Sequence, residues 1–190
     1  SAAVLPYSQV QQYSYNSIIE YLTSNNLIEE YFLQLDKINS EKHLYYPSRV
    51  HGKDHTSRVT FMADILANLD GLDNHTKLLL LTSARYHDIG RFDDRETKEH
   101  GALGAEKVEQ LSLLEGFSNK DKKIIKFAIE QHSLSSEENA LALSKISKRN
   151  RKDYETILSY LKDADALDRV RIENKNMQLE PDRLRHTSSK

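Results

Sequence analysis

His87 and Asp88 stand side by side in the run ARYHDIG, at the end of a stretch rich in leucine and alanine. Imidazole and carboxylate are the donors that borderline divalent metals take, and an open position on such a metal activates water. Three other runs offer partners: His55 in HGKDHTSRV, His132 in AIEQHS and Asp165 in LKDADALDRVR. Four of the eight histidines, His51, His55, His87 and His132, fall in these runs. Each run alone means little. Together they point to metal-assisted hydrolysis.

Such groups must be aimed at one point, and the sequence supplies helices to do it. Six glycines, three prolines and no sustained alternation of apolar and polar residues predict an all-helical chain. The pattern places helices at about 8–23, 26–37, 54–69, 75–88, 98–114, 119–132, 137–148 and 152–168. Asn74, Thr97 and Ser118 (the last with Asp121 three residues on) are the expected N-caps. Residues three, four and seven apart share a helix face. On that rule His55 heads a stripe of Val59, Met62, Leu66 and Leu69, and His87 aligns with Leu80 and Ala84. Asp88 aligns with Leu81 and Ala84, His132 with Ile125 and Ala128, and Asp165 with Leu158 and Leu161. Inward carboxylates are expensive without a positive partner, and one divalent cation among them is the simplest remedy.

Length and composition narrow the classes. The 190 residues are expected to form one domain, with a motif core at about 50–170 and an extended tail over 173–190. No cysteine is present, which excludes a disulfide framework, a thiolate metal site and a thiol nucleophile. The longest apolar run, Leu78 to Leu81, is too short for a membrane span, and the first residues lack a signal-peptide pattern. A formal net charge of −2 gives no general pull toward nucleic acid or membrane. A cytoplasmic protein is the expectation. The polar stretch from Ser133 to Arg151 reads as an exposed helix or lid, and the KRNRK run within it as a solvated turn. His43, His75 and His186 sit in polar contexts and read as solvated, whereas Tyr86 reads as a core residue.

The order His55, His87-Asp88, Asp165 resembles the H…HD…D signature of the HD-domain metal-dependent phosphohydrolase superfamily. The resemblance spans most of the chain, and HDIG followed by Arg91 and the final DADALDRVR make it specific. It implies an all-α fold, an HD-domain-like helical bundle around a central metal site, with His55, His87, Asp88 and Asp165 as ligands. The run EHGALGAEKV resembles the H-x-x-x-G element of binuclear members, so His100 and His132 would serve a second ion and Asp88 would bridge the two. His51 matches an extra ligand position in some binuclear members, although the helix carrying His55 is not expected to have begun there. The implied cofactor is one or two divalent ions: manganese, iron, cobalt, nickel or magnesium. No GYP element or paired histidine follows, so cyclic-di-GMP hydrolysis is unsupported, and the acidic pair directly after HD in ppGpp hydrolases is lacking.

Phosphate ester chemistry also needs cations for the phosphoryl oxygens, and arginine suits them by its planar, permanently charged fork. Arg58, Arg91 and Arg169 are the candidates, with Arg171 beside them; surface pairing with Asp93, Asp94, Asp168 or Glu173 is the alternative for each. Asp168 can orient a ligand or hold an arginine. The expected substrate is a small nucleotide-like phosphate ester, cleaved at a monoester or terminal position, with no long nucleic acid or membrane as partner. Two other readings stay open. One is a regulatory HD module that binds a nucleotide without turnover. The other is a metal-independent HD-like phosphodiesterase: the HGKDHTSRV run also resembles that of HD-like domains in bacterial effectors, which implies histidines serving as nucleophile and acid.

Overall fold

Seven α-helices carry the fold in a computed structural model that describes residues 20, 22–168 and 184–189. They are α1 (Leu27–Ser40), α2 (Lys53–Leu69), α3 (Asn74–Tyr86), α4 (Glu99–Gln110), α5 (Asn119–Gln131), α6 (Ser136–Ser144) and α7 (Lys148–Leu167). Short 3₁₀ turns lie at Lys42–Leu44 and Thr187–Ser189, and no strand occurs among the described residues. The all-helical expectation holds. The helix expected at 8–23 falls almost wholly outside the described residues, as do Arg169, Arg171 and most of the tail.

Local chemistry explains where the helices start. Asp73, not Asn74, caps α3 and accepts from the Thr76 N–H at 2.7 Å, because the carboxylate one residue earlier reaches the right amide. Ser118 caps α5 as expected. Thr97 caps nothing; Lys98 is the N-cap of α4 and makes no side-chain cap bond. α6 opens with a capping box in which Ser135 and Glu138 satisfy each other's backbone N–H groups. That box sets α6 at Ser136–Ser144, and α7 begins at Lys148, so the KRNRK run is the first turn of a helix and not a loop. Replacing Ser135 with Ala is expected to cost about 1 kcal/mol of stability, read by urea unfolding. Hydrogen bonds from the Ser135 backbone, with help from Lys98, pull the Glu138 carboxyl down to about 2. A depressed acid stabilises above its unfolded pKa and loses that contribution as pH falls through the folded one. Glu138→Gln should therefore flatten the stability profile between about pH 4.5 and 2 relative to the native chain.

α2, α3, α5 and α7 form the core, with α1 against α2 and α4 against α5. Val59, Ala63, Leu66, Leu80, Ala84, Ile125, Ala128, Ile129, Ile157 and Leu161 are buried between them. The expected stripes are confirmed except at the end of α2, where Leu69 is 50 % exposed. Leu66 and Ala67 in the same turn stay buried, so the buried face of α2 is centred on their side and Leu69 falls at its edge. Tyr86 is buried and donates to Glu41, a core residue as read. α6 is not a free lid: buried Asn139 donates to the Gln131 carbonyl at 2.9 Å and accepts from Lys162 at 2.6 Å, tying α6 to α5 and α7.

One close approach sets the geometry of the centre. A Cβ on Gly90 would lie 2.1 Å from the His100 carbonyl oxygen and 2.3 Å from the Gly104 nitrogen. The glycine after the His-Asp pair thus lets the chain lie directly on α4 at Gly104, while Gly101 of the same helix faces the end of α5. No side chain fits in that seam.

Candidate metal centre

The chain leaves α3 at Tyr86, so His87 and Asp88 sit in the turn just past its end. Both are buried, and Asp88 is 2 % exposed. The structure gathers His51, His55, His87, His100, His132 and Asp165 around it. The Asp88 carboxylate has two distinct sides. Its Oδ2 faces His51 at 3.3 Å, His55 at 3.5 Å and His87 at 3.7 Å. Its Oδ1 faces His100 and His132, each at 3.4 Å. Asp165 closes the first side, with Oδ1 3.2 Å from His55 Nε2 and 3.8 Å from His87 Nε2.

The backs of the imidazoles are fixed, which settles which nitrogen faces the centre. His87 Nδ1 donates to the Ala84 carbonyl at 2.6 Å, and His132 Nδ1 donates to the Ile129 carbonyl at 2.6 Å. Both carbonyls are three residues back, one turn along the same helix. His55 Nδ1 donates to Asp168 Oδ2 at 2.7 Å. In each ring Nε2 is left to point inward, the usual arrangement behind a ligating histidine. His51 precedes α2, as expected, and Ser48 Oγ accepts from its backbone N–H at 3.1 Å.

Electrostatics divides the histidines. Burial pushes His87 down to about 4, and burial with the nearby His132 pushes His100 down to about 3. Burial also works against charge on His55, but hydrogen bonds to Asp165, Asp168 and Asp88 outweigh it and lift that ring to about 10. Burial would raise Asp88 too, yet His87 and the other surrounding imidazoles hold it well below the usual carboxylate range. The surroundings thus favour ionised Asp88 and Asp165 and neutral His87 and His100, the protonation states that metal ligation needs, whereas the carboxylates around His55 favour its charged form until a cation takes that place.

The donor set fits a divalent cation. Neither oxygen of Asp88 has a hydrogen bond of good geometry, although both are fully enclosed. His55 and His87 approach Nε2 to Nε2 at 3.2 Å, and His100 and His132 at 3.1 Å. Two nitrogens bound to one ion at about 2.1 Å each lie about 3 Å apart, so these spacings are those of ligands sharing an ion. Three sets bring one ligand atom from each residue within 4.8 Å of the others: His51, His55 and Asp88; His55, His87 and Asp165; and His87, Asp88 and His132.

The arginines separate. Arg91 lies against the centre, its Nε 3.0 Å from Asp88 Oδ2. Arg58 instead grips Asp168, with Nε donating to Oδ1 at 2.7 Å, and its side chain is 42 % exposed. Its place is behind His55, in line with the alternative of pairing with Asp168. Asp168 itself does both things expected of it, orienting His55 and holding an arginine. A cavity of about 850 Å³ opens beside the cluster and is lined by Arg91, His100, His132 and Asp165 together with Lys98 and Lys162. Those two lysines were not foreseen, because nothing in their local sequence marks them.

The match to known families decides the kinship: residues 52–170 match the HD domain. The chain belongs to the HD-domain family. The HD domain supports membership of a metal-dependent phosphohydrolase superfamily, and the His and Asp groups support a divalent metal. Comparison with curated proteins and with solved structures gives no match. No helix among the described residues is long and apolar enough to cross a membrane. In this HD protein Gly90 of HDIG and Gly104, the second glycine of HGALG, have a common purpose, since they touch across the seam that joins the two sides of Asp88.

Proposed function

We propose that this HD protein is a metal-dependent phosphohydrolase acting on a small nucleotide-like phosphate ester, and that Asp88 would help to hold two divalent ions, one from each of its oxygens. The observation that carries the reading is the division of Asp88, with separate imidazole groups facing its two oxygens. His51, His55, His87 and Asp165 would hold one ion, and His100 and His132 the other. The mixed nitrogen and oxygen donors favour manganese, iron, cobalt or nickel, with magnesium a poorer match to so many imidazoles. When bound, such ions supply Lewis acidity toward phosphoryl oxygens and lower the pKa of water.

The chain's own residues supply the rest. Arg91 would bind non-bridging oxygens from its place beside Asp88, while Asp168 keeps the His55 ring aimed. Cleavage at a monoester or terminal position suits an 850 Å³ cavity, a volume ordinary for a small-molecule site. Elemental analysis of protein purified without chelator should give transition metal in near-stoichiometric amount. A panel of nucleoside phosphates, cyclic nucleotides and chromogenic mono- and diesters should show monoester turnover. Metal-free protein that hydrolyses diesters would overturn the proposal, and metal-bound protein silent across the panel would point to a regulatory module.

Two substitutions probe individual roles. Asp168→Ala removes the carboxylate behind His55, and metal affinity should fall by about 10- to 100-fold, measured by competition with a chromogenic chelator. Arg91→Ala should leave metal content intact and lower kcat/KM for phosphate esters. Equal loss of metal in both would mean that Arg91 supports the ligands and not the substrate.

A further inference from the structure

Asp163 is fully buried on α7, two residues before Asp165, and its carboxylate is not aimed at the metal centre. Two residues are about 200° of helix, so the pair faces nearly opposite sides. Asp163 instead collects the segment Leu184–Ser189. It accepts from the Arg185 N–H at 2.9 Å, the His186 N–H at 2.7 Å and the Ser189 hydroxyl at 2.9 Å, and pairs with Arg185 Nη1 at 3.3 Å. Further contacts support the same segment. The His186 ring stacks on Tyr160 with centroids 3.6 Å apart and 9° between planes, and meets Ser159 Oγ at 2.9 Å. Ser188 donates to Asp70 at 2.9 Å, and Leu184 is buried. The extended-arm expectation therefore fails for these residues, and so does a solvated His186. A charge buried twenty residues upstream gave no local sign that it would fold the segment back.

The segment does not merely cover α7. Leu184 and Arg185 form part of the wall of the cavity whose other side is the metal centre. The cavity lining carries four cations, Arg91, Lys98, Lys162 and Arg185, against the acids Glu96 and Asp165. One phosphoryl group at the metal centre is already served there by Arg91. Of the others, Lys98 is paired with Glu138 at 2.9 Å and Lys162 is bonded to Asn139 at 2.6 Å, whereas Arg185, which pairs with Asp163 at 3.3 Å, keeps a third of its side chain exposed on the cavity wall.

We propose that Leu184–Ser189 is a built-in wall of the substrate site, positioned by Asp163, and that its Arg185 binds a second anionic group on the substrate. The substrate class is then a small ester bearing two separated anions, such as a nucleoside bisphosphate. This rests on the phosphohydrolase reading of the same cavity. Arg185 is a specificity residue, and Asp163 a positioning residue that acts through it.

The test is calorimetric binding of adenosine 3′,5′-bisphosphate and of adenosine 5′-monophosphate to metal-loaded protein. The native chain should prefer the bisphosphate by roughly tenfold or more, as a charge-assisted contact allows. Arg185→Ala should cut that preference to under about threefold with metal content unchanged, and Arg185→Lys, which keeps a cation beside Asp163, should restore part of it. Asp163→Asn should lose the preference although Arg185 is present. No preference in the native chain, or one that survives Arg185→Ala, overturns the proposal. Turnover of both ligands and of p-nitrophenyl phosphate is followed in parallel. Absence of all turnover, with the binding preference and its loss intact, would sink the hydrolase reading and leave the anion site standing.

Discussion

Asp88→Asn is expected to abolish turnover and to strip metal from the protein while leaving the helices formed. The amide keeps the shape of the side chain but removes the charge that both groups of imidazoles face at 3.3–3.7 Å. No other carboxylate of the centre touches both sides, since Asp165 reaches only His55 and His87. If the proposed hydrolysis is correct, loss of the charge shared by both sides should lower kcat by on the order of 10³-fold or more. Metal bound only to the folded state stabilises it by about 2.7 kcal/mol at a hundredfold excess over Kd. The native chain should therefore melt higher on adding manganese, cobalt or nickel, and the Asn variant should not. Turnover should be compared well below both melting points, so that instability is not mistaken for lost chemistry. Near-native activity with full metal content would show that Asp88 is no ligand.

Gly90→Ala carries the second large effect, and it acts through the backbone. The new methyl would meet three backbone atoms, the His100 oxygen at 2.1 Å, the Gly104 nitrogen at 2.3 Å and the Gly104 Cα at 2.9 Å. Backbone cannot rotate out of the way as a side chain can, so α4 must move off the His-Asp turn. Overpacking of this kind costs about 1–3 kcal/mol and at times more, and the upper end is expected here. The displacement also carries His100 away from His132 and Asp88, now 3.1 and 3.4 Å distant. Stability by urea unfolding should drop, and metal per chain should fall as the His100 side is lost first. Gly104→Ala is the control. Its nearest contact is the Ile129 Cγ2 at 3.1 Å, a side chain that can shift, and alanine gains helix propensity in return. A Gly90→Ala protein as stable as the Gly104→Ala protein would refute the seam.

Which residues would gather was legible in the chain, because the helical period converts spacing into direction. His55 with Val59, His87 with Ala84 and His132 with Ala128 point inward by that rule, and each is buried. The cost of an inward carboxylate made a cation the economical reading of Asp88 and Asp165 before any fold was known. The same period failed at Leu69, which falls at the edge of the buried face, and at α6, whose start was set by the Ser135 capping box, and it missed the polar first turn of α7 from Lys148.

Tertiary structure decided how those groups are shared. Period and propensity say which side of a helix a residue takes, but not which helix lies opposite. Asp168 reaches His55 across 113 residues and holds Arg58 by its other oxygen, so one arginine stands behind the centre and another, Arg91, at its face. The two-sided environment of Asp88 exists because Gly90 admits α4 to within backbone contact. The capture of Leu184–Ser189 by Asp163 depends on a partner 22 residues away along the chain. Long-range pairing of charge and close passage of backbone leave no periodic trace in a sequence, because their partners are chosen by packing.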